Sequence, residues 1–255
     1  MAKIHRFIDN FNFSQADKEI EITGEIAHQM AKVLKLEINE QVELCDGKGI
    51  SAIARIEEIN KNTVKLKIEK VSRLNLDTRG VTLFCAVLKK ENFELVVQKT
   101  TECGVNKIIP IITTRTVKTG LNMERLQKIA KEASEQSGRS FIPEIMEPIS
   151  FEQSLEMVKD NECNIFFDAG GEDFSFQTPW ERDGASTSKN SAEFYGCVLK
   201  EKSSPCIFIG PEGGWTPEES QKAKDAGFKI ASLGQLTLRG ETAAIVATYL
   251  SVNLK

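Results

Sequence analysis

The chain has 255 residues, enough for one large or two modest domains, each with its own core. Hydrophobic residues make up 40% and charged residues 27%, with a formal net charge of −4, so nothing in the totals advertises a nucleic-acid binder; a local basic patch would decide that instead. No apolar run is long enough to span a bilayer, and Met1-Ala2-Lys3-Ile4-His5-Arg6 lacks the apolar core of a signal peptide, so a cytoplasmic protein is expected.

Residues 1–72 read as β-rich. Polar and apolar residues alternate over Glu19–Thr23, Gln41–Cys45 and Thr63–Ile68, and over part of Ile50–Ile59. Asp46-Gly47-Lys48-Gly49 is a hairpin turn between two of these strands, and a short helix over 25–36 interrupts them. Together they suggest a small half-open barrel. The polar, aperiodic stretch 73–79 serves as a linker.

From 80 to 255 strands and helices alternate. Strands are expected over 81–88, 108–112, 142–146, 164–168, 206–209 and 229–233. Helices are expected over 91–103, with Phe93, Val96, Val97 and Thr100 on one face, and over 123–136, 151–158 and 242–252. This is an α/β pattern with a mostly parallel sheet and flanking helices. The polar stretch 170–195 reads as a long surface loop. The last helix is apolar nearly all round, so it is expected to be buried in the core or against a second subunit. The 6 cysteines form no CxxC pair and several sit in apolar runs, which favours buried free thiols; with only 2 histidines, no metal site is expected.

Two glycine-marked turns near the carboxyl end carry the chemistry. Cys206–Ile209 runs into Gly210-Pro211-Glu212-Gly213-Gly214, followed by Thr216-Pro217-Glu218-Glu219, a capping-box helix start. Lys229–Ser232 runs into Leu233-Gly234, then Leu238-Arg239-Gly240-Glu241-Thr242-Ala243. A glycine-rich turn after a strand often only reverses the chain. Two of them, with a charged pair in the second, suggest one small-molecule site at the carboxyl ends of buried strands. Neither turn is a dinucleotide fingerprint or a P-loop.

These two segments, with Gln98–Val105, Glu132–Arg139 and an opening of His5-Arg6-Phe7, His28 and Lys32-Val33-Leu34-Lys35, resemble a bacterial family that methylates N3 of a uridine in 16S ribosomal RNA. That family belongs to the SPOUT superfamily and carries a PUA-like amino-terminal domain. The resemblance implies a PUA-like barrel over 1–72 and a methyltransferase domain over 80–255 whose carboxyl end is tied in a trefoil knot. It also implies S-adenosylmethionine as cofactor and a homodimer. The family's cofactor loops fall on Gly210, Pro211, Gly213, Gly214, Ser232, Leu233, Gly234, Leu238 and Arg239. Glycine lets backbone groups approach an adenine edge and ribose, and Leu233 with Leu238 can sandwich the base.

Uridine N3 carries a proton and is a poor nucleophile until that proton leaves, so the reaction needs a base or a cation that stabilises the forming anion. Arg239 is the candidate for charge stabilisation and Glu241 for proton acceptor or orienting partner. Glu241 equally suits the first turn of a helix as a carboxylate favoured by the dipole, and Arg239 suits a structural ion pair with it. RNA contact is expected from Arg115, Arg139 and the surrounding excess of positive charge, and from Arg6, Lys32 and Lys35. His28 reads as a helix-surface histidine.

Two departures from the family stand out. Leu236 replaces a usual arginine, which puts RNA docking or cofactor placement in question. Lys35 replaces another, losing a forked contact to phosphate. Two rival readings therefore stand beside the enzyme: a knotted RNA-binding protein without turnover, and a knotted methyltransferase acting on another RNA.

Overall fold

Alternation of polar and apolar residues builds the first sheet, whose strands are β1 (His5–Ile8), β2 (Glu19–Thr23), β3 (Gln41–Cys45), β4 (Ile50–Ile59) and β5 (Thr63–Arg73). In the computed structural model, which describes residues 4–13, 19–73, 80–117, 119–173 and 204–253, they lie in the order β1-β3-β4-β5-β2. β1 pairs parallel to β3 and the other pairings are antiparallel. The inward face buries Phe7, Met30, Val42, Leu44, Ile56, Val64 and Leu66. Asp46 fixes the hairpin turn by accepting the N–H groups of Lys48 and Ile50 at 2.8 and 2.9 Å.

The chain divides into two compact units, Met1–Leu76 with Lys131–Ile142, and Asp77–Ala130 with Pro143–Lys255. Within the first, Glu135 Oε1 accepts the Ile8 N–H at 2.8 Å and the Gly49 N–H donates to the Ser140 carbonyl at 3.1 Å. Pattern reading does not reach these ties, because they join segments far apart in sequence. Three boundaries also differ from expectation. β1 was not foreseen: with only four residues, His-Arg-Phe-Ile, it has no room to show a period. The helix α1 (Gly24–His28) continues as a π-turn over Gln29–Val33 and stops short of 36, because Lys35 takes a left-handed φ of 53°. β5 runs on through Ser72 and Arg73, and the rest of the expected linker, 74–79, lies outside the described residues.

The second unit is an α/β layer. Its strands are β6 (Thr82–Ala86), β7 (Lys107–Ile112), β8 (Glu144–Ile145), β9 (Ile149–Ser150), β10 (Asn164–Asp173), β11 (Cys206–Ile209) and β12 (Lys229–Ser232). They form a seven-stranded sheet in the order β12-β10-β11-β6-β7-β8, with β9 beside β7, and every pairing is parallel. Strands covered on both faces read as continuous apolar runs, and all four residues of β11 are buried. The helices of this unit are α2 (Lys90–Cys103), α4 (Phe151–Met157), α5 (Pro217–Asp225) and α6 (Gly240–Asn253), and α3 (Met123–Ser137) is shared, its residues from Lys131 on counting with the first unit. Phe84 and Phe208 stack at 4.3 Å between ring centres, as do Phe166 and Trp215.

On α2 the foreseen face, Phe93, Val96, Val97 and Thr100, is fully buried. On α6 burial is one-sided: Ala244, Ala247, Thr248, Leu250 and Ser251 are buried, while Tyr249 stays 55% exposed. β10 continues to Asp173, into the stretch expected as a loop over 170–195; the rest of that stretch lies outside the described residues, as do all positions 174–203. Cys45, Cys85 and Cys206 are buried free thiols and Cys103 is a half-buried one. Cys163 departs from that expectation and is disulfide-bonded.

Candidate functional site

Parallel strands aim their carboxyl ends the same way, and the loops that leave β11 and β12, with Phe167, Asp168 and Ala169 of β10, line a cavity of about 510 Å³. The starts of α2 and α6 close its sides, with Lys89 and Asn92 from the first and Gly240, Glu241 and Ala243 from the second. Of the candidates named from the sequence, Gly210, Pro211, Gly214, Ser232, Leu233, Gly234, Leu238, Arg239 and Glu241 all line this cavity.

The first loop is shaped from behind. The Gly214 N–H donates to the Pro211 carbonyl at 2.8 Å, closing the turn. Arg115 reaches under the loop and its Nη1 donates to the carbonyls of Gly213 and Trp215, at 2.8 and 3.0 Å. Gly213 accordingly does not line the cavity but faces Arg115. Glu212 braces the loop as well, its Oε1 accepting the Lys89 N–H at 3.0 Å. The Trp215 indole donates to the Phe167 carbonyl at 2.9 Å, tying the loop to β10. Thr216 and Glu219 form the expected capping box at the start of α5, and Glu219 Oε1 also accepts the Thr114 N–H at 2.9 Å.

The second loop presents the charged pair. Arg239 has its carbonyl in the first hydrogen bond of α6, to the Ala243 N–H at 2.8 Å, while its guanidinium side chain is 85% exposed. The Glu241 side chain is 10% exposed. The two stand 3.9 Å apart, Nη1 to Oε1, which is a loose pair rather than a locked one. Glu241 Oε2 is buried without a hydrogen-bond partner among the described residues. Leu236 also lines the cavity and is 81% exposed.

Sequence reading missed Lys89, Asn92 and Asp168. A signal existed: each follows the apolar run of a parallel strand, which is where ligands bind in open α/β sheets.

The cationic residues proposed for RNA are not equally free. Lys32 and Lys35 are exposed. Arg6 is turned inward, its side chain 16% exposed and its Nε 3.0 Å from Glu43 Oε2. Arg139 is half-buried, its guanidinium 4.4 Å from the centre of the Phe141 ring, and burial pulls its pKa down to about 10. Arg115 is exposed at its surface but spends Nη1 on the glycine loop. His28 is exposed, on a helix surface as expected.

Comparison with known proteins agrees with this geometry. Residues 75–251 match the RNA methyltransferase domain and residues 22–69 the RNA methyltransferase PUA domain. The chain is 32% identical to the ribosomal RNA small subunit methyltransferase E of Synechocystis over 89% of this chain and 71% of that protein. It is 30% identical to the Bacillus subtilis protein of the same name, over 89% of this chain and 86% of that one. Among solved structures, the Neisseria gonorrhoeae methyltransferase E bound to S-adenosylmethionine superposes with a TM-score of 0.78 at 26% identity, covering 96% of this chain and 95% of that one. A Legionella pneumophila methyltransferase in complex with the same cofactor gives 0.76 at 28%, covering 98% and 97%. The fold is that of the SPOUT methyltransferases with a small amino-terminal sheet domain. The chain belongs to the RNA methyltransferase family, with a PUA domain ahead of its methyltransferase domain.

Proposed function

We propose that this protein transfers a methyl group from S-adenosylmethionine to N3 of a uridine in 16S ribosomal RNA. One observation carries the reading: both glycine loops, an exposed arginine and a buried carboxylate whose Oε2 has no hydrogen-bond partner among the described residues meet on one cavity. The chain's likeness over most of its length to small-subunit ribosomal RNA methyltransferases names the substrate class.

The cavity fits the cofactor in kind and size. About 510 Å³ lies in the usual range for a small-molecule site, and backbone from two glycine-containing loops forms much of its wall. Gly210, Pro211, Gly214, Ser232, Leu233, Gly234 and Leu238 would hold it, with Gly213 acting from behind through its carbonyl bond to Arg115. S-adenosylmethionine supplies an electrophilic methyl group, so the protein's own tasks are alignment and activation of the uridine.

Activation falls to the second loop. Arg239 is free to meet the negative charge that spreads from N3 onto the neighbouring carbonyl oxygens when the proton leaves. Glu241 accepts that proton through Oε2, which no donor of the described chain engages. The starts of α2 and α6 both border the cavity, and their positive dipole ends add to the field that favours the uridine anion.

RNA docking rests on the amino-terminal unit, with the exposed Lys32 and Lys35 as phosphate contacts and Arg115 nearer the glycine loop. The working form is a homodimer, supported by the apolar side chains left open on α2 and α6, Leu95 at 38% and Tyr249 at 55% exposure. The knot of the superfamily is supported where Gly240 enters α6 close against Leu88 and the Gly210 carbonyl, so the chain end passes beside the first glycine loop. A ribosomal RNA substrate sets the protein in the cytoplasm.

The test is methyl transfer from labelled S-adenosylmethionine to small ribosomal subunits lacking the modification, with mass spectrometry of the nucleosides. A 3-methyluridine product is expected. No transfer to subunits or free ribosomal RNA, from protein that binds the cofactor, would turn the reading to another RNA or to a binding-only role.

A further inference from the structure

Asp168 ends a strand that the sequence marks, 164–168, and has no role assigned to it there. The structure gives it a built position. β10 pairs with β12 on both sides of an irregularity: Phe167 and Glu172 both oppose Ala231, so 168–171 bulge out of the ladder. The bulge falls at the carboxyl end of β10, between the loops that leave β11 and β12, and Phe167, Asp168 and Ala169 line the cavity.

Two features hold the bulge in shape. Gly171 lies so close to β12 that a Cβ there would come within 2.6 Å of the Ala231 backbone, a contact no side chain tolerates. Ser220, on α5, donates its hydroxyl to Asp168 Oδ2 at 3.1 Å. The preceding residue is pinned too, since the Phe167 carbonyl takes the Trp215 indole N–H. Asp168 Oδ1, by contrast, has among the described residues only a long 3.5 Å approach from the Gly170 N–H. One carboxylate oxygen is therefore anchored and the other is left with acceptor capacity on a cavity wall.

We propose that Asp168 is a cofactor-binding residue, its carboxylate accepting O–H or N–H donors of S-adenosylmethionine, with Ser220 and Gly171 as the groups that position it. The inference rests on the reading of the cavity as a cofactor site. The donors are either the ribose hydroxyls or the α-ammonium group, which share the chemistry an anionic acceptor recognises.

Isothermal titration of the full chain with S-adenosylmethionine, S-adenosylhomocysteine and methylthioadenosine tests this. A charge-assisted hydrogen bond predicts about tenfold to hundredfold weaker S-adenosylmethionine binding in Asp168→Asn and Asp168→Ala. Thermal unfolding near that of the wild type would show that the variants fold. Ser220→Ala should weaken binding by a smaller factor, about two- to fivefold, since it frees the carboxylate without removing it. Equal losses for S-adenosylhomocysteine and methylthioadenosine would assign the bond to the ribose. A loss for S-adenosylhomocysteine alone would assign it to the ammonium group, which methylthioadenosine lacks. Both Asp168 variants binding all three ligands within about twofold of the wild type would overturn the proposal and leave the cofactor site standing. A folded wild type that binds none of the three would overturn both.

Discussion

The cavity of the α/β unit and the basic residues of the amino-terminal unit were both marked in the sequence, but the structure treats them differently. Nearly every residue marked for the cavity lines it. Of those marked for RNA on the first unit, Lys32 and Lys35 are available, while Arg6 and Arg139 are turned inward. The difference is one of mechanism. A glycine-rich turn after a buried strand constrains its own backbone, so position follows from local sequence. A cation is available to phosphate only if no carboxylate or aromatic ring from elsewhere has claimed it, and that depends on contacts between distant segments.

The sharpest way to break the cavity side of this comparison is at Gly214. Its φ is +69°, and a Cβ there would have Arg115 Nη1 as its nearest neighbour, 4.0 Å away. Space is not the constraint; backbone conformation is. A β-branched residue is strongly disfavoured there, so Gly214→Val should lose at least about tenfold in S-adenosylmethionine affinity as the turn relaxes. Titration of the folded variant checks it, and unchanged affinity would mean that the loop's shape does not matter to the ligand.

Arg239→Ala should act on turnover and not on cofactor affinity, lowering kcat by about a hundredfold to a thousandfold, as loss of a charge-stabilising donor does. Its side chain is 85% exposed, so unfolding temperature should hardly move. Single-turnover methyl transfer with saturating cofactor reads this directly, and near-normal rates would remove Arg239 from the chemistry.

What was legible follows the same division. Six strands of a mostly parallel sheet were readable because runs such as Cys-Ile-Phe-Ile at 206–209 are apolar without interruption, whereas the two-residue β9 was not; the Thr216–Glu219 box was readable because its bonds are local. β1 and the packing of 131–142 with the first sheet were not, since they rest on pairings such as Ile8 with Glu135. Asp168 was half-legible: it ends a recognised strand, yet the bulge that turns it into a wall depends on the approach of β12. The role of Arg115 behind the glycine loop lay about a hundred residues from that loop and left no local sign.

On the amino-terminal side, Arg6→Ala and Lys35→Ala should separate. Removing Arg6 leaves Glu43 part-buried without its partner, at a cost of about 2–3 kcal/mol and a clear fall in unfolding temperature. Lys35→Ala should leave stability unchanged and weaken RNA binding a few-fold, with the slope of log affinity against log salt reduced by about one unit. The opposite pattern, RNA affinity tracking Arg6 and stability tracking Lys35, would reverse the assignment.

The smallest effect is expected at Glu135. Burial raises its pKa, and the Ile8 N–H bond only partly offsets that. The folded state therefore holds a proton on this carboxyl over a range of pH where the unfolded chain has already released it. Its contribution to stability is greatest below the unfolded-state value, falls as pH rises to the folded-state value, and stays low above it. Glu135→Gln keeps an oxygen for the Ile8 N–H and removes the charge. The variant should melt slightly above the wild type at about pH 7.5, and the gap should close near pH 4, where glutamate is largely protonated in both states. Melting curves across that range decide it. A variant less stable than wild type at the higher pH would show that the ionised carboxylate, and not merely its hydrogen bond, holds 131–142 to the sheet.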